Sequence, residues 1–361
     1  DEYRAQHRGG KGIKGAKLRD DDVVDHFFLT STHNWLLFFT NKGRVYRCKA
    51  YELPEGSRDS KGQHVANLLQ FAPDETIQAV LAIPNYEVAK YLVLATRSGK
   101  VKKTRLSEYD SPRQGGLIAV RLMTDENGET ADELIGANLC NAEDDIILVS
   151  KHGMSLKFRA DDDQLRPMGR QTAGVQGMKF RDGDELLAMD VVWGDSDKDL
   201  FVVTNEGFAK RTALSEYRLQ GRNGFGVKAV QLVEGRGFLV GALVVSEEDQ
   251  VMAIMTSGKV IRANVNEVKR TGRTTQGVTF AKPEKNDEII SIARNAEAED
   301  EADGETTTTE SSGSASSIQP AQGEPVFEVS TEEPSGMPLV TENSEAIERT
   351  EESGGEASDE A

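Results

Sequence analysis

The sequence predicts an all-β protein: a ring of six blades of about four strands each, followed by a disordered acidic tail. Three observations predict it. A short apolar strand, a tight turn ending in glycine and a cation four residues past that glycine recur five times. The glycines, Gly43, Gly99, Gly153, Gly207 and Gly258, stand 56, 54, 54 and 51 residues apart. A period near fifty residues built from short strands belongs to radial or solenoid β arrays. An Arg-x-x-x-Gly loop recurs at a similar spacing, and all hydrophobic periodicity ends at residue 296.

Taken in chain order, each repeat has three parts. The first is an unbroken apolar strand: WLLFF (35–39), YLVLA (91–95), IILV (146–149), LFVV (200–203) and VMAIM (251–255). Unbroken apolar runs predict burial on both faces, as near a propeller axis. The turn glycine supplies the positive φ that a hairpin demands. The strand after it carries the cation: Arg47, Lys103, Lys157, Arg211 and Arg262. Positive charge at one phase of the period predicts a charge row along the array's outline.

The second part is the Arg-x-x-x-Gly loop, at Arg8–Gly12, Arg58–Gly62, Arg170–Gly174, Arg222–Gly226 and Arg273–Gly277, with a shorter variant at Arg113–Gly116. Alternating strands follow, including HVANLL (64–69), LIAVRL (117–122), VQGMKF (175–180) and VKAVQL (227–232). The third part is another strand, such as IQAVLAI (77–83), ELLAMDVV (185–192), FLVGALVV (238–245) and EIISIA (288–293). The second and third parts occur six times and the first only five. Asp1-Glu2-Tyr3-Arg4 stands before its loop as Ser215-Glu216-Tyr217-Arg218 stands before the loop at 220–226. The first blade is therefore expected to be incomplete at the N-terminus, as in a fragment of a longer polypeptide. Six blades suit ring closure; a β-solenoid or a pair of β-sandwiches is the alternative.

Charge divides the chain at the same place. The net charge of −18 lies wholly in 296–361, where 19 Asp/Glu accompany Arg349 alone. Residues 1–295 carry equal numbers of acids and bases and are long enough for a substantial core. The tail, rich in Glu, Ser, Thr, Gly and Pro, cannot offset the entropy of ordering. It reads as a solubilising extension or as a competitor for the basic rim. Cys48 and Cys140 lack metal spacing and predict reduced thiols in the cytoplasm. No apolar run is long enough for a membrane span.

Residues 6–12 read Gln-His-Arg-Gly-Gly-Lys-Gly, in the most basic stretch of the chain. Gly9, Gly10 and Gly12 let backbone N–H groups approach phosphate oxygens, while Arg8 and Lys11 are suited to phosphate. Lys14, Lys17 and Arg19 follow. The loop lacks the spacing of a Walker motif.

This loop resembles the signature box of the DNA gyrase A C-terminal domain family, Gln-Arg-Arg-Gly-Gly-Lys-Gly. It matches at Gln6, Arg8, Gly9, Gly10, Lys11 and Gly12 and departs at His7, which is only partly cationic near neutrality. TNKGRVYR, TRSGKVKKT and TNEGFAKRT (from Thr40, Thr96 and Thr204) are similar to the family's blade hairpins. The resemblance covers 1–295 and implies a six-bladed β-pinwheel that wraps double-stranded DNA around its rim in a positive crossing, with the box required. It implies presentation of that segment for strand passage in negative supercoiling by an ATP-dependent type IIA topoisomerase. The implied partners are the cleavage domain of the same polypeptide and the gyrase B subunit. The implied location is the cytoplasm, with the nucleoid.

The residues predict the same chemistry. No helix suits a major groove, so contacts should go to phosphates and depend on bendability rather than sequence. Bending about 40 base pairs through a half-turn costs on the order of 10 kcal/mol, which demands a row of contacts. The expected DNA contacts are Gln6 to Gly12, Lys14, Arg47, Arg58, Lys103, Arg113, Lys157, Arg170, Arg211, Arg222, Arg262 and Arg273. No catalytic residue, metal or cofactor is expected, and the fragment should be monomeric. Gln220–Gly226 resembles a decayed second box without its lysine. The alternatives are the corresponding domain of topoisomerase IV, which typically lacks an intact box, and a propeller used as a protein-interaction scaffold. A propeller hydrolase would need carboxylates converging on the axis, and the acids cluster at turns instead.

Overall fold

The computed structural model describes residues 30–56, 62–113, 115–126, 130–181, 183–193 and 197–295, together with the strand Ile13–Lys14. The chain divides into two units, Asp1–Thr306 and Thr307–Ala361, and all described residues belong to the first.

The described strands form five four-stranded antiparallel sheets, numbered I to V in chain order. A hairpin supplies the two middle strands of each. These are Trp35–Thr40 with Arg44–Lys49, Tyr91–Thr96 with Lys100–Arg105, Asp145–Ser150 with Met154–Arg159, Asp199–Thr204 with Phe208–Ala213, and Gln250–Met255 with Lys259–Asn264. The third part of each repeat supplies the inner strand: Ile77–Ile83, Leu134–Cys140, Leu186–Val192, Leu239–Val245 and Ile289–Asn295. Inner strands of successive sheets pack on one another from I to V. The result is an all-β, propeller-like array.

The outer strand of each sheet is two residues long and is lent by another repeat. Leu117–Ile118 completes sheet I, Val175–Gln176 sheet II, Val227–Lys228 sheet III and Val278–Thr279 sheet IV. Ile13–Lys14 completes sheet V by pairing with Val260 and Lys259. Each blade is thus stitched to the next by main-chain hydrogen bonds.

The hairpin glycines fix this stitch. All five have positive φ, from 70° to 83°. The Gly43 carbonyl accepts from the Ala119 and Val120 amides, at 2.8 and 3.0 Å, and Gly99, Gly153 and Gly207 repeat the arrangement. A Cβ on Gly43 would lie 2.4 Å from the Val120 carbonyl oxygen. Glycine is therefore needed for the turn and for the approach of the borrowed strand.

Three expectations need correction. Five sheets are seen where six blades were predicted; the residues expected to begin the first blade, 1–29, lie almost entirely outside the described residues. The unbroken apolar strands, expected near the axis, are buried as expected but stand second in each sheet, behind the inner strand. They are buried because both faces meet other side chains: Leu37 and Phe39 pack with Leu92 and Leu94 of sheet II, while Leu36 and Phe38 pack with Tyr46, Cys48 and Leu69. The inner strand of sheet I is only half-buried along most of Ile77–Ile83. Finally, the strand expected at 64–69 is a 3₁₀ turn over Val65–Asn67, and those expected at 117–122, 175–180 and 227–232 shrink to two residues.

Candidate nucleic-acid interface

The middle strands of each sheet are enclosed by neighbours on both sides, and this decides the fate of the hairpin cations. Lys103 is fully buried, its Nζ donating to the Ala160 carbonyl at 2.5 Å and to Asp162 at 2.9 Å, over the Tyr91 ring. Lys157 Nζ donates to the Leu214 carbonyl at 3.0 Å, and burial pushes its pKa down. Arg47 pairs with Asp110 at 2.6 Å, donates to the Tyr86 hydroxyl and stacks over Trp35. Arg211 is buried beside Asp199 and Glu247, at 3.4 and 3.3 Å. Arg262 donates to the Gln250 side chain at 2.5 Å.

Arg47, Lys103 and Lys157 therefore reach into the next repeat. Lys103 and Arg211 are buried, so the expectation that they line DNA is corrected for these two, while Arg47, Lys157 and Arg262 are half-buried and already hold partners within the fold. A fixed phase in a repeat implies an equivalent environment, and the seam between blades recurs as regularly as the rim. The main chain at these positions does the same work. The carbonyls of Lys103, Lys157 and Arg211 accept from the amides of Met168, Gln220 and Thr271, anchoring the next loop.

The loop arginines form a second repeated clasp. Arg170 donates to the Ile118 carbonyl at 3.2 Å, Arg222 to Gln176 at 2.9 Å and Arg273 to Lys228 at 3.0 Å. Each acceptor is the second residue of the preceding outer strand. A guanidinium has five donors, so each arginine keeps N–H groups for other partners while half-exposed. Arg113 is exposed. Gln6, His7, Arg8, Gly9, Gly10, Lys11, Gly12 and Arg58 lie outside the described residues, and Lys14 is described only by its strand pairing.

Two buried lysines complete the clasps. Lys102 Nζ contacts the carbonyls of Ala119 and Arg170, and Lys210 Nζ those of Ala229 and Arg273. Burial lowers Lys102 to about 7 and Lys210 to about 8. At the axis, the Asp190 carboxylate accepts from Asn138 and from the amides of Val191 and Val244. It is occupied by structure.

Sequence reasoning missed the cations that do face solvent. Arg166, Arg218 and Lys269 are exposed, each four residues before a loop arginine and directly after buried Leu165, Tyr217 or Val268. Arg121, Lys179 and Lys282 are exposed four residues past the start of an outer strand. None of the six closes an ion pair with another described residue. The detectable signal was an apolar–cation step ahead of four of the six loops, at Leu165-Arg166, Tyr217-Arg218, Val268-Lys269 and Tyr3-Arg4. Together with Arg113, these side chains offer a series of solvated charges beside successive loops and outer strands, the chemistry required for phosphate contacts.

Comparison with known proteins bears on this arrangement. A family model described as "DNA gyrase C-terminal domain, beta-propeller" matches six successive stretches, 1–31, 34–84, 90–141, 144–192, 198–246 and 249–295. The DNA gyrase A protein of Streptomyces coelicolor is 57% identical over 327 residues, covering 90% of this chain and 38% of that protein. The DNA gyrase A protein of Nocardioides sp. is 52% identical, with 84% and 36% covered. The chain thus spans under two-fifths of the length of these curated relatives. Among solved structures, a DNA gyrase A C-terminal domain superposes with a TM-score of 0.71 at 26% identity, covering 81% of this chain and 93% of that one. The C-terminal domain of a DNA topoisomerase IV gives 0.65 at 26%, covering 80% and 88%.

Proposed function

Because the chain belongs to the DNA gyrase C-terminal domain family, we propose that it grips duplex DNA by its phosphates along the outer edges of its sheets and wraps it. The observation that carries this reading is the recurrence of an exposed cation ahead of successive loops, at Arg166, Arg218 and Lys269. Arg113, Arg121, Lys179 and Lys282 extend the contact set, and Arg170, Arg222 and Arg273 add their spare donors. The box Gln6–Gly12, with Arg58 and Lys14, fastens one end of the wrapped segment. A six-bladed β-pinwheel over 1–295 accords with the six matched stretches, and 296–361 is a separate acidic extension. That extension competes with DNA for the rim.

In the longer protein, the wrapped segment is handed to the cleavage domain and, with the gyrase B subunit, biases strand passage toward negative supercoiling. The fragment contributes binding rather than chemistry, without a cofactor, in the cytoplasm. Gyrase is preferred to topoisomerase IV because the curated relatives named above are gyrase A proteins.

The test is topological. The chain is bound to relaxed circular plasmid, a nicking-closing enzyme is added, and the linking difference is read after protein removal. A non-zero difference that grows with protein and disappears in an Arg166→Gln/Arg218→Gln/Lys269→Gln variant is expected. Bound plasmid with no trapped difference would overturn wrapping.

A further inference from the structure

Phe225 is an oddity among cations. Its ring is 48% exposed, in the loop between Leu219 and Gly226. It stands one residue before the loop glycine, where the other described repeats have Gly115, Ala173 and Gln276, and where the first two loops have Lys11 and Lys61. Only this described repeat puts a large apolar side chain at that place.

The loop beneath the ring is firmly held. The Gln220 amide donates to the Lys157 carbonyl at 2.8 Å, the Asn223 amide to Gly177 at 2.6 Å, and the Lys179 amide to Gly224 at 2.8 Å. The Arg222 guanidinium reaches the Gln164 and Gln176 carbonyls. Asn223 and Gly226 have φ of 66° and 71°, and a Cβ on Gly226 would lie 2.1 Å from the Ser155 carbonyl oxygen. The segment thus bridges the outer strands of sheets II and III and presents Phe225 from a fixed base. Ordering the ring on binding therefore costs little backbone entropy.

Its surroundings select the ligand. Arg218, Lys179 and Lys228 are exposed and close in chain or by hydrogen bond to the Phe225 segment. Protein-interface centres are depleted in charge. A single rigid ring among cations instead suits a polyanion with an apolar interior. We propose that Phe225 is a wedge that inserts at a base step of duplex DNA and fixes the register of the wrapped path between sheets II and III. Such wedges partly unstack the step they enter. The proposal rests on the wrapping reading and adds to it a fixed point of insertion.

The test uses the full chain and the variants Phe225→Ala and Phe225→Lys. Dissociation constants are measured for a linear duplex of about 40 base pairs and for the same duplex with a central two-nucleotide bulge, which removes most of the unstacking cost. A 2-aminopurine beside the bulge reports insertion. The unsubstituted chain should prefer the bulged duplex by about tenfold and change the probe's fluorescence. Phe225→Ala should hold intact duplex within about threefold while losing both the preference and the fluorescence change. Phe225→Lys should tighten intact duplex and lose them equally. Equal preference and fluorescence in all three proteins would overturn the wedge, leaving wrapping in place, and would leave Phe225 as a protein contact or an ordinary surface residue. An unsubstituted chain that binds neither duplex would overturn wrapping and wedge together. The side chain is half-exposed, so unchanged melting temperatures are expected for both variants.

Discussion

Arg166, Arg218 and Lys269 provide the cleanest perturbation, because their side chains are solvated and close no ion pair with a described residue. Replacing all three with glutamine should leave stability within about 0.5 kcal/mol per site. If each neutralises one phosphate, the slope of log K against log salt falls in magnitude by about 0.9 per residue, or about 2.7 in total. Between 50 and 200 mM salt, that flattening amounts to about 40-fold: the unsubstituted chain should lose about 40 times more affinity than the variant across this range. Fluorescence anisotropy with one labelled duplex at four or five salt concentrations measures both slopes. Unchanged far-ultraviolet circular dichroism confirms the fold. A variant that keeps the original slope would refute the assignment of these residues to the DNA path, however its affinity at one salt compares.

Two further outcomes follow from the seam. Lys103→Met removes the donor to Ala160 and Asp162, so denaturant unfolding should show a loss of about 1–3 kcal/mol with an unchanged DNA salt slope. Lys102 and Lys210 titrate near 7 and 8 in the folded protein against 10.5 ordinarily. The unfolded chain therefore binds more protons between about pH 7 and pH 10.5, and stability contributed through these groups rises with pH in that window. Going from pH 6.5 to pH 9, the melting temperature should shift upward more in the unsubstituted chain than in Lys102→Met/Lys210→Met; identical shifts would contradict it.

The hairpins, the inner strands and the positive φ of the turn glycines were legible because each leaves a mark in the chain: unbroken apolar runs of four or five residues, largely apolar strands, and glycine at a fixed place. Strand order was not. Leu117–Ile118 pairs with Arg44–Lys49, about seventy residues earlier, and a two-residue strand has too little pattern to announce a distant partner. The sorting of cations was hidden for a related reason. Lys103 and Arg166 are both cations at a fixed place in the repeat, and only the enclosure of the hairpin strand between blades buries the first. The clasp of Arg222 on the Gln176 carbonyl could not be read either, since its acceptor is main chain. The family resemblance came from a loop, Gln6–Gly12, and from hairpins whose cations prove structural. A correct family was reached partly through residues that hold the blades together.

Lysine acetylation read by mass spectrometry, with and without saturating duplex, separates seam from rim most directly. Lys179, Lys269 and Lys282 should react in the free protein and be protected by DNA, whereas Lys102, Lys103 and Lys210 should stay unmodified in both. Rim lysines that react equally with DNA bound, or seam lysines that DNA newly shields, would contradict the division on which the account stands.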